Sequence, residues 1–258
     1  MGMNNSRNFD LLTLGQVLLR LSPPDNERLS RGDTFVKQVG GAELNVAVGA
    51  ALLGLHTGVI SKLPAHDIGS FMKGKIRSFG VSDDFFMYDQ SPAARVGIYY
   101  YENGAYPRKP KVIYDRNHSS FFSLDIDEIP EEVYTASKCF HTTGITLALN
   151  EDIRETTIEM IKRFKAAGTL VSFDVNFRGN LWTGDQAREC ILRILPYVDI
   201  FFCSEDTARL TFLKTGTARE MMEKLYRDPY LHVASTQRIV HSPQAAYLWL
   251  CDIRCGQG

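Results

Sequence analysis

Short apolar runs rich in β-forming residues alternate with helical patterns along most of this chain. The first half reads as strand Phe9 to Leu14, a helix from Ala42, strand Gly58 to Ser61 and helix Ile68 to Phe79. The second half reads as strands Cys139 to Thr142, Leu170 to Asp174 and Val198 to Cys203, with helices Glu151 to Ala167, Gln186 to Leu195 and Glu205 to about Leu213. This alternation winds into a mostly parallel sheet with helices on both faces. We expect one α/β domain over residues 1–258, with ligands bound on loops beyond the carboxyl ends of the strands.

Two segments interrupt the alternation, at about residues 17–38 and 95–114. They carry alternating or aromatic β-like pieces such as Gly97 to Tyr101 and Lys111 to Tyr114. Strands outside the main sheet can cover a cleft and exclude water from a bound substrate. We therefore expect these segments to form a small accessory sheet, a lid inserted in the domain.

The paired glycines Gly40 and Gly41 stand directly before an apolar helix. Glycine lets the backbone approach a ligand closely, and the first helical turn offers unpaired N–H groups to an oxygen-rich partner. This turn is typical of a small-molecule site, although an ordinary glycine turn that packs a helix on a sheet has the same pattern.

A second polar set follows the strand that ends near Asp174. Asn176 and Arg178 alternate with apolar residues there, at the edge where ligands are expected. Arg178 can form a bidentate pair with a carboxylate or a phosphate. The structural alternatives are that Asp174 ties down a loop and that Arg178 caps a helix.

Composition and net charge limit the classes of partner that this chain can bind. The net charge is −1 and no basic cluster is present, which argues against a nucleic acid or a membrane surface. The longest apolar run, Val46 to Leu55, is far shorter than the roughly 20 residues of a membrane-spanning helix. The polar start, Met1 to Asn8, has no apolar signal core, so we expect a cytoplasmic protein.

The cysteines and histidines indicate neither a metal nor a nucleophilic site. Five cysteines occur mostly within apolar segments, where free buried thiols are expected. Cys251 and Cys255 have no second Cys or His pair at metal-ligand spacing, so we predict no metal there. Six scattered histidines do not suggest a catalytic dyad or triad.

Five motifs, taken in order, resemble the ribokinase-like (PfkB) carbohydrate kinases, most closely the 2-keto-3-deoxygluconate kinases. They lie at residues 40–45, 97–99, 112–116, 140–145 and 174–178. The resemblance runs from about Phe9 to about Pro243. It implies a ribokinase-like three-layer α/β/α fold with a mostly parallel sheet and a small β lid, which often also makes a homodimer.

The resemblance also implies ATP-dependent phosphorylation, with Mg²⁺, of a hydroxyl on a sugar or sugar acid. Gly40, Gly41 and Asn45 would hold sugar hydroxyls, Tyr99 would pack over the sugar, and Arg178 would meet a carboxylate or the transferred phosphate. Convergent amide donors and a planar guanidinium suit such a ligand. Tyr99 could instead be a cross-strand aromatic, and Asn45 a helix-entry hydrogen-bonding residue.

Phosphate or metal support would come from Asn176 and Glu205. The family's Asn-x-x-Glu falls near Ser204-Glu205-Asp206-Thr207, which keeps only the acidic character. Magnesium binding at Glu205 is therefore an expectation from position alone.

The lid departs from the family pattern as well. Tyr101 stands where a second lid residue is commonly Arg, although Arg95, Arg108 and Arg116 are close enough in sequence to substitute. The identity of the sugar is left open by this difference.

The family's late Gly-Ala-Gly-Asp motif, whose Asp takes the proton of the attacking hydroxyl, has no counterpart in this sequence. The residues after Pro243 do not match the family, as expected of a C-terminally truncated or frame-shifted chain. We therefore predict no catalytic residue here and impaired phosphoryl transfer. The alternatives are a non-catalytic sugar-binding or regulatory remnant and, among enzymes, a fructokinase or a ribokinase. Arg178 and the tyrosine-rich lid favour a sugar acid.

Overall fold

The computed structural model describes residues 7–213, 215, 216 and 220, and the backbone of residues 236–239 and 248–251. The chain divides into two compact units, Met1–Lys138 and Cys139–Gly258. The single-domain expectation stays a prediction. The unmatched tail after Pro243 lies outside the described residues, apart from the backbone of one strand.

The first unit contains two sheets and two α-helices. Its described strands are β1 Phe9–Leu14, β2 Leu18–Ser22, β3 Val36–Gly40, β4 Thr57–Pro64, β5 Val81–Ser82, β6 Phe86–Asp89, β7 Gly97–Glu102 and β8 Lys111–Asp115. Its α-helices are α1 Ala42–Leu52 and α2 Asp67–Ser78, and short 3₁₀ turns occupy Ser120–Ser123, Ile126–Glu128 and Glu131–Thr135. Strand β4 pairs in parallel with β1, β5 and β6, which confirms the predicted winding.

Strand β4 is the centre of this winding. All eight of its residues are buried, as expected of a parallel strand covered on both faces. Val59 and Leu63 pack in one apolar cluster with Met72 and Ile76 of α2. Helix α2 begins where the His66 ring accepts a hydrogen bond from the Ile68 N–H.

The lid sheet has the order β3-β2-β7-β8, and its strands come from the two segments that interrupt the alternation. Strand β2 runs antiparallel to β3 and parallel to β7, and β7 runs antiparallel to β8. Because side chains alternate along a strand, the two faces differ. Leu19 and Ile98 face the apolar cluster under the lid, whereas Arg20, Tyr99 and Tyr114 share a row of the other face.

The second unit repeats the parallel winding. Its described elements are β9 Ser137–Thr143, α3 Gly144–Leu147, α4 Glu151–Ala166, β10 Leu170–Asp174, α5 Gly184–Ile194, β11 Ile200–Phe202, α6 Glu205–Phe212 and the antiparallel pair β12 Thr236–Ile239 and β13 Leu248–Cys251. Strand β10 pairs in parallel with both β9 and β11. The stacked rings of Phe140 and Phe164, 4.1 Å apart, join β9 to α4.

Helix α4 shows how local chemistry sets an element's bounds. The Asn150 side chain accepts a hydrogen bond of 2.8 Å from the Ile153 N–H, and Glu151 and Asp152 occupy the first turn. Gly168, with φ of 74°, follows the last turn. The bounds that these caps set agree with the predicted helix Glu151 to Ala167 to within one residue.

Several predicted bounds differ from the structure by one to three residues, and two of the differences have a clear local cause. Helix α5 begins at Gly184 rather than Gln186, because Gln186 is the N3 partner of a capping box with Thr183. Strand β11 begins at Ile200 rather than Val198, because residues 195–197 form a 3₁₀ turn whose Leu195 carbonyl accepts the Val198 N–H.

The described thiols are free and embedded in the second unit. Burial raises the pKa of Cys139 and of Cys190 to about 11 and that of Cys203 to about 12. The side chains of Cys251 and Cys255 lie outside the described residues. Within the described part of the chain, no helix is long and apolar enough to cross a membrane.

Candidate functional site

The glycine turn of the first unit requires glycine at its second position. Gly41 has φ of 150° and precedes α1, and a Cβ there would lie 2.8 Å from the main-chain oxygen of Gln16. The Gly41 carbonyl accepts the Asn45 N–H at 2.9 Å, which places Asn45 in the first helical turn. Asn45 is exposed, and none of the described hydrogen bonds uses its side chain. The backbone therefore presents Asn45 to solvent, whereas Gly40 is buried.

Tyr99 lies directly over this turn. A Cβ at Gly40 would lie 2.5 Å from the Tyr99 hydroxyl, so the ring occupies the space that glycine leaves. Burial raises the pKa of Tyr99, while the Arg20 cation opposes that shift. Tyr99 also pairs across the sheet with Tyr114, with ring centroids 6.0 Å apart. It therefore fills the cross-strand role and contacts the glycine turn as well.

The polar face of the lid adds Arg20, which no sequence motif indicated, to Tyr101, Tyr114 and Arg116. The Arg20 guanidinium lies 4.2 Å from the centre of the Tyr101 ring, and that of Arg116 lies 5.7 Å from the centre of the Tyr114 ring. Alternation within β2 and β8 could have indicated which side chains share a face. The pairing of Arg20 with Tyr99, by contrast, depends on a long-range register.

The three lid arginines named from the sequence contact different groups. Arg95 pairs with Asp115 at 2.8 Å, and Arg108 pairs with Glu102 at 3.4 Å. Arg116 instead donates from Nε to the side-chain oxygen of Gln16 at 2.8 Å. Of these three arginines, Arg116 is the one whose guanidinium lies near a tyrosine ring of the lid, that of Tyr114.

Gln16 is the buried centre of this arrangement. Its side chain is 3% exposed and donates to the Arg116 carbonyl at 3.1 Å and to the Ser119 hydroxyl at 2.7 Å. The chain leaves β1 at this point and enters the lid. One amide thus links the start of the lid to its last strand.

In the second unit, the loop after β10 holds two predicted site residues. Asn176 has φ of 36°, and its N–H donates to the Asp174 carboxylate at 3.0 Å. Asn is one of the few side chains that tolerate the left-handed region. Arg178 is exposed, and its carbonyl accepts the Leu181 N–H at 2.9 Å. Asp174 thus ties down the loop, and Arg178 presents its guanidinium to solvent.

Glu205 does not form a metal site with its described neighbours. It lies in the first turn of α6, where its carboxylate pairs with Arg209 at 2.6 Å. Among the described residues, no group of three His, Cys, Asp or Glu side chains could hold a metal. Magnesium binding at Glu205 therefore stays a prediction that no described contact supports.

A His–Ser pair occurs inside the second unit. His141 Nδ1 lies 2.9 Å from the Ser172 hydroxyl, and both residues are buried on adjacent strands. Burial lowers the pKa of His141 to about 4. Because this pair is buried in the middle of the sheet, it contributes to packing there. The Ser172 hydroxyl is not accessible to a substrate.

The parallel winding and the lid define an α/β protein, and the glycine turn beneath Tyr99 is its candidate small-molecule site. Residues 8–236 match the family described as "pfkB family carbohydrate kinase". The chain belongs to this family. Its mostly parallel sheet with helices is the ribokinase-like α/β fold that the motifs predicted.

Relatives and solved structures agree. The 2-dehydro-3-deoxygalactonokinase of Haloferax volcanii is 36% identical over 219 residues, which are 85% of this chain and 68% of the relative. The 2-dehydro-3-deoxygluconokinase of Bacillus subtilis is 31% identical over 69% of this chain and 54% of its own length. The crystal structure of 2-dehydro-3-deoxygluconokinase from Thermotoga maritima has a TM-score of 0.83 and 31% identity, and covers 89% of this chain and 72% of its own. The chain therefore spans roughly half to three quarters of these relatives.

Proposed function

We propose that this chain binds a 2-keto-3-deoxy sugar acid and serves its ATP-dependent phosphorylation. The observation that carries the proposal is the polar face of the lid, where the guanidinium groups of Arg20 and Arg116 lie on tyrosine rings beside Tyr99 and the glycine turn. Aromatic rings pack on a sugar, and a guanidinium binds a carboxylate. The same ligand class is named in the relatives.

The predicted substrate-binding residues each have a place in this proposal. Gly40 and Gly41 allow close approach of the sugar to the backbone, Asn45 offers an amide, and Tyr99 covers the ring. Arg178 fits an anionic oxygen, either the acid's carboxylate or the transferred phosphoryl group, because it is exposed on a loop held by Asp174. ATP would supply the phosphoryl group when bound.

A fructokinase or ribokinase activity is the second candidate within enzymes. Neutral sugars need hydroxyl and amide partners rather than cations, so the arginine pair of the lid argues for the acid. A non-catalytic sugar-binding role would use the same lid face. Binding and turnover must therefore be measured separately.

The test is calorimetric titration of the full chain with 2-keto-3-deoxygluconate, 2-keto-3-deoxygalactonate, fructose and ribose, followed by a coupled assay of ADP release. We expect saturable binding of the two acids and at least about tenfold weaker binding of the neutral sugars, from the loss of charge-assisted hydrogen bonds. Tighter binding of a neutral sugar would overturn the sugar-acid assignment. Binding without ADP release would match the predicted impairment, and ADP release would refute it.

We also propose a homodimer through the lid. Strand β8 is exposed along its whole length, including Val112 at 41% and Ile113 at 43%, and Val36 of the opposite edge strand is 47% exposed. Exposed apolar edge strands favour pairing. Light scattering of the wild type and of a Val112→Lys, Ile113→Lys variant tests this, since the proposal expects a dimer that the charges convert to a monomer. A wild-type monomer at high concentration would contradict it.

A further inference from the structure

A row of side chains crosses all four strands of the lid on its polar face. Arg20 of β2 is in register with Gln38 of β3 on one side and with Tyr99 of β7 on the other. Tyr99 is in turn in register with Tyr114 of β8. Residues in register on neighbouring strands place their side chains on the same face of a sheet. An amide, a guanidinium and two phenols therefore lie side by side, and Arg20 supplies the positive charge of the row.

Two neighbours hold the Arg20 guanidinium in place. Its Nε donates to the Ser22 hydroxyl at 2.9 Å, and its Cζ lies 4.2 Å from the centre of the Tyr101 ring. Ser22 is buried on the same strand, and Tyr101 lies two residues beyond Tyr99, diagonal to Arg20. Diagonal neighbours on one face of a sheet are within reach of long and aromatic side chains. The planar group is thus held by the tyrosine ring on its face and by the hydroxyl at its Nε.

The Arg20 guanidinium has no acidic partner among the described residues. None of the ion pairs that these residues form includes it. Burial raises the pKa of Tyr99 and the neighbouring Arg20 cation opposes that rise, so the cation lies beside the hydroxyl that covers Gly40. The two Nη atoms carry most of the N–H donors of a guanidinium, in a planar fork that fits a carboxylate. This fork remains to bind a ligand.

A ring partner has a different effect on the cation from that of an acid. On the same lid, the Glu102 carboxylate pairs with Arg108 at 3.4 Å and neutralises its charge. A tyrosine ring attracts a guanidinium through its quadrupole and adds no negative charge. The contact with Tyr101 therefore orients Arg20 and leaves its charge for an anionic ligand. Such preorganisation also lowers the entropy that the side chain loses on binding.

We propose that Arg20 binds an oxygen of the sugar acid's carboxylate and that Tyr101 is its positioning residue, which holds the guanidinium by the face of its ring. This inference rests on the proposed function and deepens it. Tyr101 acts through Arg20, so its effect should be confined to ligands that carry the negative charge. A cross-strand pair that only stabilised the sheet would affect acidic and neutral ligands alike.

The test compares two ligands that differ at the first carbon, 2-keto-3-deoxygluconate and its neutral analogue 3-deoxyfructose. Calorimetric titration of the full chain is run on the wild type, Arg20→Met, Tyr101→Leu and Tyr101→Phe, because phenylalanine keeps the ring face and leucine removes it. Tyr88→Leu is the matched control, since the Lys73 ammonium lies 5.5 Å from the Tyr88 ring on β6, outside the lid. Thermal unfolding of each variant measures whether the fold is retained.

We expect Arg20→Met to weaken binding of the acid at least about tenfold and Tyr101→Leu to weaken it about fivefold, each with less than about a twofold change for the neutral analogue. Tyr101→Phe and Tyr88→Leu should leave both affinities within about twofold of the wild type. In an Arg20→Met background, Tyr101→Leu should change acid binding by less than about twofold, because the residue through which Tyr101 acts is gone.

Equal weakening of both ligands in Tyr101→Leu, or unchanged acid binding in Arg20→Met, would overturn the inference, while the proposed function would stand. Additive losses in the double variant would refute the positioning role, and this comparison decides where the neutral analogue binds too weakly to measure. A loss in Tyr101→Phe as large as in Tyr101→Leu would refute the ring contact.

If the wild type did not bind the acid, the proposed function itself would fall, and the inference with it. For a Tyr101→Leu chain that does not fold, Arg20→Lys decides. The inference then expects weaker acid binding at unchanged affinity for the neutral analogue, because an ammonium lacks the planar fork. Equal effects on the two ligands would refute it.

Discussion

At the scale of single residues, the candidate site depends on which side chains fit beside one another. Tyr99 can lie over the turn only because Gly40 has no side chain, and Gly41 adopts a φ of 150° against the Gln16 carbonyl. The sequence indicated these glycines and Tyr99. It could not indicate Gln16 or Arg20, because their roles arise from contacts with residues far along the chain.

The contact between Gly40 and Tyr99 predicts a measurable coupling. Gly40→Ala should weaken sugar-acid binding at least about tenfold, because the new methyl group displaces the Tyr99 hydroxyl. Tyr99→Phe removes the atom that would lie 2.5 Å away and leaves ring atoms at 3.2 Å. Calorimetry on both single variants and the double variant should therefore show that Tyr99→Phe restores part of the binding lost in Gly40→Ala. Strictly additive losses would contradict the contact.

The buried His141 predicts a pH dependence of stability. Its pKa of about 4 in the folded chain lies below the usual 6.5, so the unfolded chain takes up a proton first as the pH falls. Stability from this group is fully present above pH 6.5 and is lost between about pH 6.5 and pH 4. Between pH 7 and pH 5, the wild type should lose about 2 kcal/mol more unfolding free energy than His141→Gln does. Equal losses in urea titrations at the two pH values would refute this.

At the scale of elements, the strand and helix bounds follow local chemistry closely. The alternation of β-forming and helical patterns predicted the winding, and the predicted bounds of α4 agree with the structure to within one residue. The start of α5 was missed because its capping box uses Gln186 as the third helical residue, which places the start earlier. The lid sheet was predicted as two segments, but its order required the pairing of β2 with β7.

The N-cap of α4 gives a direct stability prediction. Asn150→Ala should lower the free energy of unfolding by about 1 kcal/mol, because the Ile153 N–H loses its acceptor. Asn150→Asp keeps an acceptor and adds charge at the positive helix end, so it should be neutral or stabilising. Denaturant unfolding of the two variants measures the difference. A loss in both would show that the amide serves another contact.

The loop after β10 depends on the left-handed backbone of Asn176. Asn176→Ala should destabilise the chain by about 1 kcal/mol, because alanine pays the steric cost of φ at 36°. Asn176→Gly should stay within about 0.5 kcal/mol of the wild type, because glycine adopts this φ freely. Urea unfolding tests the pair, and equal stability of the two variants would mean that the loop does not hold this conformation in solution.

At the scale of the whole molecule, family membership and the architecture of each unit were predictable from the sequence, because five motifs occur in a fixed order. The order of the motifs does not specify the ligand. In our proposal the ligand is selected by side chains such as Arg116 and Tyr114, and Tyr114 comes beside Tyr99 only through the pairing of β7 with β8. Sequence position alone does not decide the role of Glu205. Its position suggested a metal ligand, and in the structure its carboxylate pairs with Arg209.

The most direct test of the central claim is calorimetric titration of 2-keto-3-deoxygluconate into the full wild-type chain and into Arg116→Met. We expect saturable binding with one site per chain in the wild type. Binding should be at least about tenfold weaker in Arg116→Met, because in our proposal the guanidinium on the lid binds the carboxylate. Absence of binding in the wild type, or equal affinity in the two chains, would contradict a sugar-acid site built on the lid.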